Sequence, residues 1–163
     1  MTEILEDKTF DNKWTLWFHK VEDSDYSIKS YTKLCEINTI KDLCEMINTI
    51  PTFNSGMFFF MKENIEPIWE NKDNINGGMW TFKITKRRAN KIWNYLMAAL
   101  CGNSFTINSE NMNFINGISI SPKISNCIIK VWNNDVSKSV AKKYLNPLDG
   151  LDLDAVYYRK NKK

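Results

Sequence analysis

Apolar positions along this chain follow two different periods. Residues 14–19 (WTLWFH), 30–36, 57–62 (MFFFMK), 79–84 (MWTFKI), 117–121 and 127–132 (CIIKVW) are aromatic or β-branched runs. Each is bounded by Gly, Pro, Asn or charged residues, so each reads as a strand. Helical spacing intervenes twice. Asn38 or Thr39 can cap a helix whose apolar positions Ile40, Leu43, Cys44 and Ile47 recur at i, i+3, i+4 and i+7. The longest helix is predicted from Lys86 or Arg87 to about Cys101, with Ile92, Trp93, Leu96, Ala99 and Leu100 as its apolar stripe. Gly102 is then the natural left-handed residue after the last turn. Asp135 or Ser137 can cap a third helix running to residue 144. Residues 1–12 read as a flexible arm, 13–158 as one domain and 159–163 as a basic tail.

Strands that recur between separate helices, without a Gly-rich phosphate fingerprint, predict an α+β domain rather than a doubly wound one. The expected architecture is a single curved, mostly antiparallel sheet with three helices on its convex face. The other face would stay open for a ligand. A chain of 163 residues buries roughly two-thirds of its unfolded surface without covalent staples.

Composition narrows the function. Aromatics make up 13% of the residues, six of them Trp, which is more than core filling requires. A formal charge of +3 excludes a polybasic nucleic-acid coat, so an anionic ligand would have to meet local basic residues. Cys35, Cys44, Cys101 and Cys127 are scattered and His19 is the lone histidine, which argues against a zinc site and for reduced thiols in a cytoplasmic protein. No nucleophile–base pair, carboxylate dyad or metal cluster stands out, so neither an enzyme nor a cofactor is expected. The polar, acidic opening does not read as a signal peptide, and no apolar run reaches membrane-spanning length. An Asn-, Ile- and Lys-rich composition points to an AT-rich genome, such as that of a protist or a large DNA virus.

The most informative stretch is residues 58–82, FFFMKENIEPIWENKDNINGGMWTF. Pro67 lacks an N–H and fixes φ, so Trp69 and Glu70 fall on a loop rather than in a central strand. A large aromatic beside a carboxylate suits a flat ligand with hydrogen-bond donors along one edge. On residue type alone, the alternative is a packed Trp69 beside a solvated Glu70.

The order WTLWF, NTIKDL, IEPIWEN…GGMW, LCGNSF and IIKVW resembles the cap-binding translation initiation factor 4E family over roughly residues 10–151. The resemblance implies a ligand, the 7-methylguanosine cap of messenger RNA, held without catalysis. Methylation at N7 makes the guanine a delocalised cation, which stacks well between two aromatic faces. By resemblance, Trp69 supplies one face and Tyr26 the other, with Tyr31 as the alternative. Glu70 matches the glutamate that accepts hydrogen bonds from the guanine edge, and Trp132 the aromatic against the N7-methyl group. Trp14, Trp17, Trp80 and Trp93 match structural positions.

The phosphate side departs from the family pattern. Met79 and Ile128 stand where family members carry basic residues, and only Lys123 matches one. Lys130 lies two residues before Trp132, so alternation puts it on the same face as a possible substitute. The partner face also differs. The positions that engage a scaffold of the initiation factor 4G type map to Phe10, Ile40, Cys44, Asn94 and Tyr95, and most are changed. The resemblance therefore implies a monomeric cytoplasmic protein that binds capped messenger RNA and either the scaffold or a diverged equivalent, with no membrane partner. The chain is shorter at both ends than typical members, so regulation through tails is not expected. Three rivals stay open: an interaction module that has lost cap affinity, a cap-binding repressor that does not recruit the scaffold, and a general single-strand RNA binder using stacking platforms.

Overall fold

The computed structural model describes residues 8–162. Strands β1 (Thr9–His19), β2 (Tyr31–Thr39), β3 (Met57–Lys62), β4 (Gly78–Thr85), β5 (Ile115–Pro122), β6 (Asn126–Asn133) and β7 (Tyr157–Lys160) form one antiparallel sheet in the order β2-β1-β3-β5-β6-β4-β7. Helices α1 (Ile40–Thr49) and α2 (Lys86–Cys101) pack on one face of this curved sheet. That is the expected α+β class.

Register decides which side chains meet. Leu16 pairs with Phe60, Phe60 with Ile118, and Ile118 with Val131. Cross-strand partners share a face, so this row points together toward the helices. There it meets Ile92, Trp93, Leu96 and Leu100 of α2 in the main core, where Trp14, Trp80 and Trp93 are also fully buried. The intervening positions face the other way. Phe59, Met61 and Trp132 form a second, smaller apolar cluster there, with Trp17 half-buried against it. Trp17 thus belongs to the open face and not to the main core.

Several local expectations shift. The arm expected through residue 12 is already sheet from Thr9, and residues 1–7 lie outside the described residues. The expected tail contributes β7, whose Tyr157 to Lys160 pair with β4; Lys163 lies outside the described residues. In α1 the buried positions are Leu43 and Met46, while Cys44 is exposed, so the buried stripe is rotated from the predicted one. Gly102 caps α2 with φ −87°, and the left-handed residue is Asn103 at φ 54°. Ser104 N–H donates to the Ala99 carbonyl and Asn103 N–H to that of Leu100, so Asn fills the role usually given to Gly.

The third helix shrinks to a 3-10 turn at Ala141–Lys143. The backbone before it is committed elsewhere. Trp80 Nε1 donates to the Ser139 carbonyl at 2.8 Å, Asn133 Nδ2 to that of Lys138 at 3.3 Å, and the Asp135 carboxylate accepts from Ser137 N–H at 2.9 Å. These tertiary and Asx-turn bonds compete with the helical ladder.

Two expectations about stability follow. Thr39 Oγ1 accepts from Asp42 N–H at 3.1 Å, while Asp42 Oδ2 accepts from Thr39 N–H at 2.8 Å, closing a capping box on α1. Thr39→Ala should cost about 1 kcal/mol in urea denaturation. Burial pushes the Lys62 ammonium from 10.5 down to about 8, although it donates to the Met112 carbonyl. The folded state therefore releases this proton before the unfolded state does. The resulting destabilisation is full below pH 8 and is relieved toward pH 10.5. Measured by denaturation across that window, the parent should gain stability relative to Lys62→Met as pH rises.

Candidate ligand-binding site

The open face carries a cavity of about 470 Å³ lined by Tyr26, Trp69, Glu70, Lys123, Lys130 and Trp132 among others. Its size lies in the range of small-ligand sites. These residues come from the loop after β1, the loop after β3, the β5–β6 turn and β6 itself. All six sequence-predicted pocket residues therefore line one hollow. Tyr31, Met79 and Ile128 line it too.

The floor is built by alternation. Met79 pairs with Trp132 and Ser119 with Lys130, so these side chains stand on the open face. Trp132 is only 5% exposed. Its Nε1 donates to Ser119 Oγ at 3.0 Å, and its ring meets Phe59 edge-on at 6.3 Å between centroids. That satisfies the indole N–H and fixes the ring plane.

Tyr26 and Trp69 stand above this floor, 53% and 46% exposed. The Tyr26 loop is held by short polar bonds. Asp25 Oδ1 accepts from Ser27 N–H at 2.8 Å, and His19 Nε2, which must donate to a carbonyl, reaches the Asp25 oxygen at 2.7 Å. The buried His19 ring stacks on Tyr26 at 4.8 Å with the planes 5° apart, leaving the other Tyr26 face for a ligand. Tyr31 is instead wedged against His19 at 4.7 Å and Phe59 at 5.2 Å. Burial, with Tyr26 and Glu70 nearby, pushes its phenol up to about 12.

The Trp69–Glu70 loop hangs from a buried amide. Asn74, fully buried, donates through Nδ2 to the carbonyls of Glu66 at 3.0 Å and Ile68 at 2.8 Å. Asn116 Nδ2 donates back to Asn74 Oδ1 at 2.8 Å and to the Asp73 carbonyl at 2.8 Å. Asn161 Nδ2 donates to the Asn74 carbonyl at 2.8 Å. Asn74, with both its Nδ2 protons and its Oδ1 paired, holds the backbone in one shape. The two glycines that follow meet β6 and β7 directly. A Cβ on Gly77 would come within 1.7 Å of the Asn133 oxygen, so only glycine fits.

The wall beside the floor is cationic. Lys130 is half-buried, and burial first, then Arg159 and Lys123, holds its ammonium below the usual lysine range. Lys123 is exposed in the β5–β6 turn. On the helical face, Phe10 and Ile40 line a separate hollow of about 240 Å³. Cys44 and Tyr95 are exposed, the latter with Lys91 Nζ 5.6 Å from its ring centre, and Asn94 is half-buried. The hollow unites Phe10 with Ile40, and the other three partner-face candidates do not line it.

Sequence reading missed the supporting residues. His19 was recoverable, because period-two alternation from Trp17 already puts it on the open face. The roles of Asn116 and Asn161 have no local signature, since each bonds to a segment far along the chain.

Comparison with known proteins agrees with this architecture. A homologue of eukaryotic translation initiation factor 4E from Acanthamoeba polyphaga mimivirus is 28% identical over 133 residues, covering 68% of this chain and 49% of that protein. Eukaryotic translation initiation factor 4E-1A from Danio rerio is 26% identical over 132 residues, covering 76% and 60%. The chain thus spans about half to three-fifths of the length of these curated relatives. Among solved structures, C. elegans eIF4E-3 in complex with the 4E-binding protein Mextli and a cap analogue superposes with a TM-score of 0.72 at 22% identity, over 80% of this chain and 76% of that one. Ascaris suum eIF4E-3 with an m2,2,7G cap gives a TM-score of 0.71 at 22% identity, over 80% and 75%. These two likenesses show the shared fold. The family model for eukaryotic initiation factor 4E matches residues 9–160, and the chain belongs to the eukaryotic initiation factor 4E family.

Proposed function

We propose that this protein binds the 7-methylguanosine cap of messenger RNA, in translation initiation or its control. The observation that carries this reading is the convergence of Tyr26, Trp69, Glu70 and Trp132 in one cavity. Two half-exposed aromatics stand above an apolar floor, which suits a flat ring between them. A base carrying the N7-methyl positive charge is attracted to electron-rich faces on both sides. Tyr26 is preferred over Tyr31 as the second stacking face. Its outer face is open, whereas Tyr31 is packed into the wall by His19 and Phe59.

Glu70 reads the base. A carboxylate accepts two parallel hydrogen bonds from guanine N1–H and the exocyclic amine, whereas the adenine edge does not offer that pair. Trp132, nearly buried in the floor, covers the methyl group. Lys123 and Lys130 meet the phosphates. The reading supplies no bond-making step: the protein acts by holding its ligand.

The helical face is the docking surface for a helical segment of a scaffold or competitor protein, and it has diverged in this chain. An exposed Cys44 offers little area where a bulky aromatic would anchor a partner. A cap-binding repressor that recruits no scaffold fits the same observation.

Tryptophan fluorescence quenching tests the pocket. 7-Methyl-GTP should bind far more tightly than GTP, and Glu70→Ala should weaken it about tenfold to a hundredfold, as expected for hydrogen bonds to a charged group. Equal affinity for the two nucleotides would instead favour a general single-strand binder, and no binding would favour the interaction module. For the helical face, a Tyr-x-x-x-x-Leu-Φ peptide should bind Cys44→Trp roughly thirtyfold more tightly than the parent, the equivalent of a regained hot spot of about 2 kcal/mol. Calorimetry giving equal affinities would remove Cys44 from the docking surface.

A further inference from the structure

The sheet extends one strand past the base pocket. β7 pairs with the outer edge of β4, and Arg159 is the partner of Met79. Met79 is in turn the partner of Trp132 on its other side. Cross-strand partners share a face, so Arg159 stands on the open face, one strand beyond the uncharged Met79. A second cavity of about 720 Å³ lies there, lined by Trp69, Met79, Lys130, Arg159, Lys160 and Lys162 among others. It shares Trp69, Met79 and Lys130 with the first cavity, so the two hollows adjoin.

Charge in this second hollow is one-sided. Among the described residues, the four ion pairs involve Lys13, Lys33, Arg88 and Lys142, and none reaches Lys130, Arg159, Lys160 or Lys162. Like charges gathered around a half-buried lysine oppose folding, and an anion seated among them removes that repulsion. The hollow is also tied to the base pocket. Asn161 N–H donates to the Gly77 carbonyl at 3.0 Å, and its side chain donates to the Asn74 carbonyl at 2.8 Å. Asn74 holds the loop that bears Trp69. The end of β7 and the stacking loop therefore form one connected unit.

The geometry points to β7 as the phosphate track of this protein: Arg159, with Lys130 beside it, binds the phosphates of the RNA chain leaving the base pocket. This inference rests on the cap-binding reading above and names for it Arg159, a residue outside the base pocket. A guanidinium offers parallel donors that fit two phosphate oxygens at once. Arg159 thus supplies from the edge strand the positive charge that Met79 and Ile128 do not. Phosphates passing over Met79 from a base beneath Trp69 would run directly toward it.

Binding of 7-methylguanosine, 7-methyl-GMP, 7-methyl-GTP, GTP and a capped tetranucleotide RNA, each at two salt concentrations, separates base from phosphate contacts. For Arg159→Ala, affinity for the nucleoside should stay within about twofold. Affinity for the triphosphate should fall about tenfold and for the capped RNA at least as much, and the salt dependence of the latter should flatten by about 0.7 per lost phosphate contact. Arg159→Lys should restore part of the loss. If the parent prefers methylated nucleotides but Arg159→Ala tracks it on every ligand, the phosphate track is wrong and the cap pocket stands. Equal losses on nucleoside and triphosphate would also overturn it, since they would mark a structural effect, which a lowered melting temperature would reveal. If the parent does not discriminate 7-methyl-GTP from GTP, the cap reading fails and this inference falls with it.

Discussion

Everything here depends on the pleat of one sheet and on its two faces doing different work. In a pleated strand, neighbouring side chains point to opposite sides. In β1, Trp14 and Leu16 turn toward the helices, whereas Trp17 and His19 turn away. The same split runs through β3, where Phe60 joins the main core and Phe59 the smaller cluster. Strands of this kind lose the usual apolar–polar alternation, because both faces are apolar. The cost of an apolar open face is contained by Phe59, Met61 and Trp132, which cover one another and leave a cavity above.

Above that floor, loops carry the residues proposed to meet a ligand, and polar bonds rather than apolar packing hold the loops in shape. Asn74 works at the centre of one loop, donating to two carbonyls and accepting from Asn116. His19 works from below the other, with one ring nitrogen on the Asp25 carbonyl and its ring against Tyr26. A stacking sandwich needs two faces at a fixed separation. Each wall is therefore anchored to the sheet by a buried polar side chain that has nothing to offer the ligand directly.

Charge is distributed on a different logic from the family pattern. The positions beside the floor are Met79 and Ile128, and the cations sit around them, at Lys123 in a turn, Lys130 in β6 and Arg159 in the edge strand. Sheet register makes this redistribution possible, since a side chain on a neighbouring strand reaches the same surface without changing the floor. On the helical face, the exposed thiol of Cys44 offers little apolar area to a partner.

The sequence by itself determined six of the seven described strands and the two α-helices, and the resemblance to the family named the candidate pocket residues. Aromatic and β-branched runs, a cap at Asn38 or Thr39 and a Pro67 that cannot join a sheet are local facts, and local physics reads them. The placement of Trp69 and Glu70 on a loop came from Pro67 alone. Only the tertiary structure decided the rest. The segment before residue 144 had a candidate cap for a helix in Asp135 or Ser137, yet Trp80 and Asn133 claim its carbonyls from β4 and β6. The terminal residues looked like a solvated tail and became β7 because β4 offered an unpaired edge. The packing of Tyr31 between His19 and Phe59, which is the basis for proposing Tyr26 instead, is a tertiary fact, and so is the partnership of Arg159 with Met79 across 80 residues of chain. Hydrogen-bond partners and strand neighbours at such separations are set by the whole fold, and no window of sequence contains both ends of the bond.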